Sequence, residues 1–154
     1  RTRVYNPATD AWSWGYDLMR RMVNITSVLL DDERVLSCGG YDQDADGFQD
    51  ECWIYDPDKH TTKSVGKLRE GADGIRMIKL TNGVVAIAGG YIASGRSNKV
   101  DLFDASTESW AVGANMPYFL GNTIVAPLPG NKFLLAGGEG GVATNSSGTT
   151  ALSW

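Results

Sequence analysis

The sequence predicts an all-β chain built by repeating one four-stranded unit, and three observations predict it. Nineteen Gly and five Trp occur among 154 residues. Gly favours turns and close backbone approach while Trp supplies bulk, a pairing that suits many short strands joined by tight turns. No fifteen-residue window carries a clean helical stripe of apolar side chains. Finally, three Gly-Gly pairs close short apolar runs at nearly equal spacing.

Those runs are Val35-Leu36-Ser37-Cys38-Gly39-Gly40, Val84-Val85-Ala86-Ile87-Ala88-Gly89-Gly90 and Phe133-Leu134-Leu135-Ala136-Gly137-Gly138. Their first glycines lie 50 and 48 residues apart, and the aromatics Tyr5, Tyr55 and Phe103 keep the same two spacings. Seven residues after each aromatic stands Trp12, Thr62 or Trp110, and six further stands Leu18, Leu68 or Met116. From there to the next Gly-Gly is 21 positions each time, so 18–40, 68–90 and 116–138 align without a gap. Such self-similarity is the signature of a repeat architecture.

In the second unit the strand-like runs lie near 73–80, 84–88, 98–104 and 109–113. The first is apolar and β-branched, as a strand covered on both faces requires. Turn signals stand at equivalent places: Asp31-Asp32-Glu33, Thr81-Asn82-Gly83 and Pro129-Gly130-Asn131. Residues 2–6 read as a third strand, the region around Trp12 as a fourth, and residues 150–154 as another third strand. A four-stranded unit of about 50 residues cannot bury both its faces alone, and stacking such units around an axis does so, which gives a propeller. The chain is expected to form one partial propeller over 1–154, with units at 1–17 (the end of a blade), 18–67, 68–115 and 116–154 (incomplete).

An apolar run, Gly-Gly, a variable loop, an aromatic followed by Asp, then Trp and Met-Pro together resemble the kelch repeat. Tyr55-Asp56-Pro57 and Phe103-Asp104, with Trp110 and Met116-Pro117, carry that resemblance. It implies that the diglycine ends the second strand of a blade and that the Trp packs between neighbouring blades. Thr62 departs from the pattern in one unit, and Leu120-Gly121 stand near where an Arg would follow Met-Pro. The resemblance also implies rings of more than three blades, so further blades are expected from the same protein or from another subunit. An isolated three-blade piece would expose apolar faces and open strand edges.

Between the second and third strands of the first full unit lies Asp42-Gln43-Asp44-Ala45-Asp46-Gly47-Phe48-Gln49-Asp50. Carboxylates at positions 1, 3, 5 and 9 with Gly at 6 suit a hard divalent cation, and the Phe48 carbonyl would complete the shell. Trp53 stands at position 12, where an EF-hand needs Glu, so the loop resembles instead the calcium-binding hairpins of integrin α-subunit propellers. The expectation is one structural Ca2+ held by Asp42, Asp44, Asp46, Phe48 and Asp50. The competing reading is a solvated polar hairpin, since Asp and Gly favour turns. The equivalent loops, Tyr91 to Lys99 and Glu139 to Thr149, carry no such acids.

Cys38 and Cys52 bracket that loop almost symmetrically. In an antiparallel hairpin they face one another, bridgeable by a disulfide if the pair is of the closer, non-hydrogen-bonded type; two buried thiols are the other reading. Two N-glycosylation sequons occur, Asn24-Ile25-Thr26 and Asn145-Ser146-Ser147. Asn24 lies at the start of an inner strand, an awkward place for a glycan, and Asn145 in a Gly/Ser/Thr-rich loop. Disulfide, calcium and sequons together favour an extracellular or secreted setting, with a cytoplasmic one as the alternative.

Fourteen Lys and Arg against eighteen Asp and Glu leave a net charge of −4, and the longest basic run is Arg20-Arg21. A nucleic-acid groove needs clustered cations, so no nucleic acid is expected as partner. No stretch of about eighteen apolar residues exists to span a membrane as a helix. The first residues already read as strand, without an initiator Met or a signal sequence, as in a mature or excised piece. Some kelch propellers belong to copper radical oxidases similar to galactose oxidase, whose chemistry needs paired tyrosines and at least two histidines. This chain has one, His60, in the turn Asp58-Lys59-His60-Thr61. No catalytic set is therefore expected. The expected function is a non-catalytic module for protein or glycan interaction or scaffolding; the alternative is part of such an oxidase with its metal ligands outside this chain. Arg69, Glu70 and Ile75-Arg76 stand where a propeller mouth would lie.

Overall fold

The computed structural model describes residues 2–15 and 21–142, and all its regular structure is strand. The expected strands at 150–154, the equivalent residue Leu18 and the sequon at Asn145 lie outside the described residues. Strands β1 (Arg3–Asn6) and β2 (Ala11–Trp14) form a hairpin with Tyr5 opposite Trp12. The first complete sheet has the order β4-β5-β8-β9, from β4 (Thr26–Leu29), β5 (Val35–Cys38), β8 (Glu51–Asp56) and β9 (Thr61–Lys67). The second has the order β10-β11-β14-β15, from β10 (Arg76–Lys79), β11 (Val84–Ala88), β14 (Val100–Asp104) and β15 (Ser109–Val112). A third begins with β17 (Ile124–Leu128) paired to β18 (Lys132–Ala136). Short ladders rim these sheets: β3 (Met22–Val23) with β6 (Tyr41–Asp42) and β7 (Gly47–Phe48), β12 (Tyr91–Ile92) with β13 (Gly95–Arg96), and β16 (Tyr118–Gly121) with β19 (Glu139–Val142).

Each sheet is thus an antiparallel meander, and the innermost strands stand side by side, β10 packing against β4 and against β17. The chain is an all-β fold in a partial, propeller-like arrangement. The repeat read from the sequence is also written in the backbone. Left-handed φ values recur at Asp10, His60 and Glu108, at Asn24, Gly74 and Asn122, and at Glu33, Gly83 and Asn131. These sets keep the 50- and 48-residue spacing, so the units share turns as well as strands.

The diglycines show why the motif cannot carry side chains. A Cβ on Gly39 would stand 2.5 Å from the Ala72 carbonyl oxygen, and one on Gly89 would stand 2.4 Å from that of Leu120. Both contacts come from the following unit. The second glycine of each pair donates to the same carbonyl, Gly40 N to Ala72 O and Gly90 N to Leu120 O, both at 2.9 Å. Left-handed φ values of 66° and 68° at the first glycines add to the demand.

The larger core lies between the first two sheets and includes Leu36, Ile54, Ile75, Met77, Val85 and Phe103; a smaller one gathers Ala88, Val100 and Met116. Trp110 packs between units, as the resemblance implied. Its indole N–H donates to the Val65 carbonyl of the neighbouring sheet at 2.6 Å. Gly66 makes room for the ring beside a register shift in the β8–β9 ladder.

Candidate binding cleft on the diglycine face

In an antiparallel meander the β4–β5 and β8–β9 turns fall at one end of the sheet. The β5–β8 loop and the entry to β4 fall at the other, the end that carries the diglycines. There a cavity of about 650 Å³ opens between units, within the size range of small-molecule sites. Asn24 and Thr26 of the first unit, Asp73 and Arg76 of the second, and Asn122 of the third line it, with Phe48 and Tyr91 from the β5–β8 and β11–β14 loops.

Three repeat-equivalent residues, Asn24, Gly74 and Asn122, sit at its rim with φ of 54°, 58° and 52°. Asn is among the residues that tolerate this region, and it brings an amide. At Gly74 the missing side chain leaves the cleft open: a Cβ there would lie 3.3 Å from the Tyr91 ring. The Asn24 amide donates to Asp73 Oδ2 at 3.1 Å. The Asn122 amide donates to the Tyr91 hydroxyl at 3.0 Å, which donates to Glu139 at 3.1 Å. Arg96 also donates to Glu139, and that cation, followed by the Tyr91 hydroxyl, holds the Glu139 carboxyl below the usual range.

Arg76 is tied to backbone oxygens alone, donating to Gly74 O at 3.2 Å, Ile75 O at 3.0 Å and Thr123 O. Among the described residues no carboxylate pairs with it, so a half-buried positive charge faces the cleft with only carbonyl dipoles around it. The other mouth residues read from the sequence are spent on packing. Arg69 pairs with Asp101 at 2.5 Å, Glu70 accepts from the Ser97 hydroxyl at 2.6 Å, and Ile75 is buried in the core.

The residues expected to hold calcium are placed differently. Asp42 is buried, and its Oδ1 accepts from the backbone N–H of Asp44 and of Ala45 at 2.9 and 3.1 Å. Asp44 is exposed and pairs with Arg21 at 3.4 Å. Asp46 accepts from the Tyr41 hydroxyl, and this bond raises the phenol's pKa above its ordinary value. Asp50 pairs with Lys67 at 3.2 Å, while Phe48 turns to the cleft rim and packs edge-on to Tyr41. Among the described residues no three acidic, His or Cys side chains converge on a point that could hold a metal. In this arrangement the hairpin does not present a cation shell, because each carboxylate is turned to a protein donor.

Cys38 and Cys52 form a disulfide across β5 and β8, with a Cα–Cα separation of 4.2 Å, the closer kind of antiparallel pair. His60 sits exposed in the β8–β9 turn with φ of 51°, at the end of the sheet opposite the cleft. A second cavity, about 320 Å³, lies at that end among Arg34, Asp56, Lys59 and Lys63. Its charges are paired internally: Lys59 with Asp56, and both Arg34 and Lys63 with Glu108, each at 2.7 Å.

The cleft was not assembled by sequence reasoning. Arg76 was noticed, and Asn24 was noticed as a sequon. Asp73, Tyr91 and Asn122 were not, although alignment at the repeat spacing puts Asn24, Gly74 and Asn122 in one column, where turn-forming residue types stand out.

No family model matches the chain, and no curated protein matches it. Its fold is similar to the solved structure of YjhT, with a TM-score of 0.75 and 16% sequence identity. That likeness is one of fold. The match covers 89% of this chain and 50% of YjhT, so the chain spans about half the length of that structure. Among the described residues no helix is long and apolar enough to cross a membrane.

Proposed function

We propose that the chain is a non-catalytic, kelch-type propeller module that binds a polar ligand, a glycan or a protein segment, in its diglycine-face cleft. The observation that carries this reading is the composition of the cleft wall. Two amides, a phenol and a guanidinium converge from three successive units around about 650 Å³, with the aromatic rings of Phe48 and Tyr91 alongside. Amide and guanidinium donors with flanking rings suit hydroxyl- and carbonyl-rich ligands. The disulfide suits an oxidising, extracellular setting. The copper-oxidase alternative would need ligands outside this chain, since the one histidine stands at the far end of the sheet. No calcium is needed by this reading.

Calorimetric titration against a panel of neutral and acidic oligosaccharides and extended peptides tests it. At least one class binds with a stoichiometry near one, and Tyr91→Ala or Arg76→Ala weakens binding about tenfold or more, the loss of roughly 1.4 kcal/mol. Binding unchanged by both substitutions would move the site elsewhere, and conversion of a bound sugar would make the module an enzyme.

A further inference from the structure

The described residues contain two complete four-stranded sheets and two halves. The leading half, β1–β2, consists of strands three and four of a unit, and the trailing half, β17–β18, of strands one and two. In the complete sheets, strand two pairs with strand three at Cys38↔Cys52 and Ala88↔Val100. Carried along the repeat, that register sets Ala136 opposite Thr2, Leu134 opposite Val4 and Phe133 opposite Tyr5.

The residues so matched are exposed where their counterparts are buried. Val4 is 45% and Leu134 49% exposed, against 1% for Ile54 and 0% for Leu36. Tyr5 is 43% exposed, against 0% for Phe103. The diglycine tells the same story: a Cβ on Gly39 or Gly89 would strike a carbonyl of the following unit, while at Gly137 nothing lies within 4 Å. The residue aligned with those carbonyl donors, Ala72 and Leu120, is Met22 in the leading part of the chain.

We propose that a second copy of this chain covers these edges, the trailing half of each copy joining the leading half of the other in a composite four-stranded sheet. Two such head-to-tail junctions close a ring, whereas a junction whose rotation did not close would give open filaments. Each copy gives two whole sheets and two halves, so two copies make a ring of six. The length agrees, because the similar solved fold is about twice as long as the matched part of this chain. Met22 of the second copy then fills the seat at Gly137 and accepts from Gly138 N. This assembly rests on the fold and not on the ligand proposed for the cleft.

The Cys38–Cys52 disulfide supplies the template for a test. Thr2→Cys combined with Ala136→Cys places two thiols in the same register across the proposed junction. Under mild oxidation the double variant should run at twice the chain's 16.6 kDa on a denaturing, non-reducing gel and return to one copy with reductant, while a singly substituted chain stays at one copy. Light scattering of the unaltered chain should give a mass of two copies, and Leu134→Asp should lower it to one with an unchanged far-ultraviolet spectrum. A single-copy mass at tens of micromolar, a cross-link closed within one copy, or a ladder of longer multimers would each overturn the proposal. The first two would leave the edges to other blades, and the third would show a junction that does not close.

Discussion

Where β5 meets β8, the first complete sheet carries the Cys38–Cys52 disulfide; at the matching place in the second, Ala88 stands opposite Val100. The outer strands differ in the opposite sense. The first sheet has Thr62 where the second has Trp110, whose indole reaches back to the Val65 carbonyl and packs on Phe103 with 4.9 Å between ring centroids. One sheet is fastened inside itself by a covalent link; the other is fastened to its neighbour by a large aromatic. The same backbone repeat therefore tolerates different chemistry at equivalent points. What it does not release are the diglycines and the left-handed turn positions, where the backbone itself sets the demand.

Removing the two fasteners one at a time sharpens this contrast. Trp110→Ala should have the largest effect, about 3–4 kcal/mol, from lost packing and an unpaired Val65 carbonyl. Cys38→Ala with Cys52→Ala should follow at about 3 kcal/mol, the value for closing a loop of this size, lowering Tm by roughly 6–12 °C. Thermal melts of both variants check the order, and loss of the disulfide should leave the contact between sheets intact in hydrogen exchange where loss of the indole does not. The comparison breaks if the cysteine variant loosens the Val65 region as much as the tryptophan variant does.

Between those sheets Glu108 of the second takes Arg34 and Lys63 of the first. The two cations, Arg34 foremost, hold its carboxyl below the ordinary range. A depressed folded-state pKa stabilises the protein above the unfolded value of about 4.3, and that contribution is lost as pH falls through the lower folded value. Glu108→Gln should cost about 1 kcal/mol or less at pH 7, since the pair is partly exposed. The difference from the unaltered chain should fade as pH drops below about 4. A gap that persisted at lower pH would assign the effect to shape rather than charge.

The smallest effect concerns the β5–β8 loop, acidic in the first sheet and neutral at its equivalent in the second. Melts in millimolar calcium and in EDTA should agree within about 1 °C, because a ligand raises Tm only by binding the folded state and these carboxylates are already engaged. A rise abolished by Asp44→Ala and Asp46→Ala would show that the hairpin rearranges around the ion.

The architecture was legible because a period of about 50 residues is visible in Gly, Trp and aromatic positions without reference to any partner. The disulfide was legible as a possibility, from two cysteines placed evenly about one loop. The cation loop shows where pattern stops being informative. Alternating acids with a glycine also describe a hairpin whose first carboxylate caps its own backbone, as Asp42 does toward Asp44 and Ala45. The cleft was illegible for a different reason. Its wall is shared by three units, and its rim column reads Asn, Gly, Asn, residue types that turns use everywhere.

The disulfide joins neighbouring strands of a single sheet, fourteen residues apart in the chain. Its formation requires no distant segment to have arrived. Short-range pairings form early and fast, whereas packing one sheet on the next requires contacts of larger sequence separation. A chain emerging into an oxidising compartment can therefore oxidise this hairpin as soon as residue 52 is exposed, before the later sheets exist. The cross-link acts as a pre-made brick: it cannot trap the wrong pair of units together, and it leaves assembly of the ring free to be corrected.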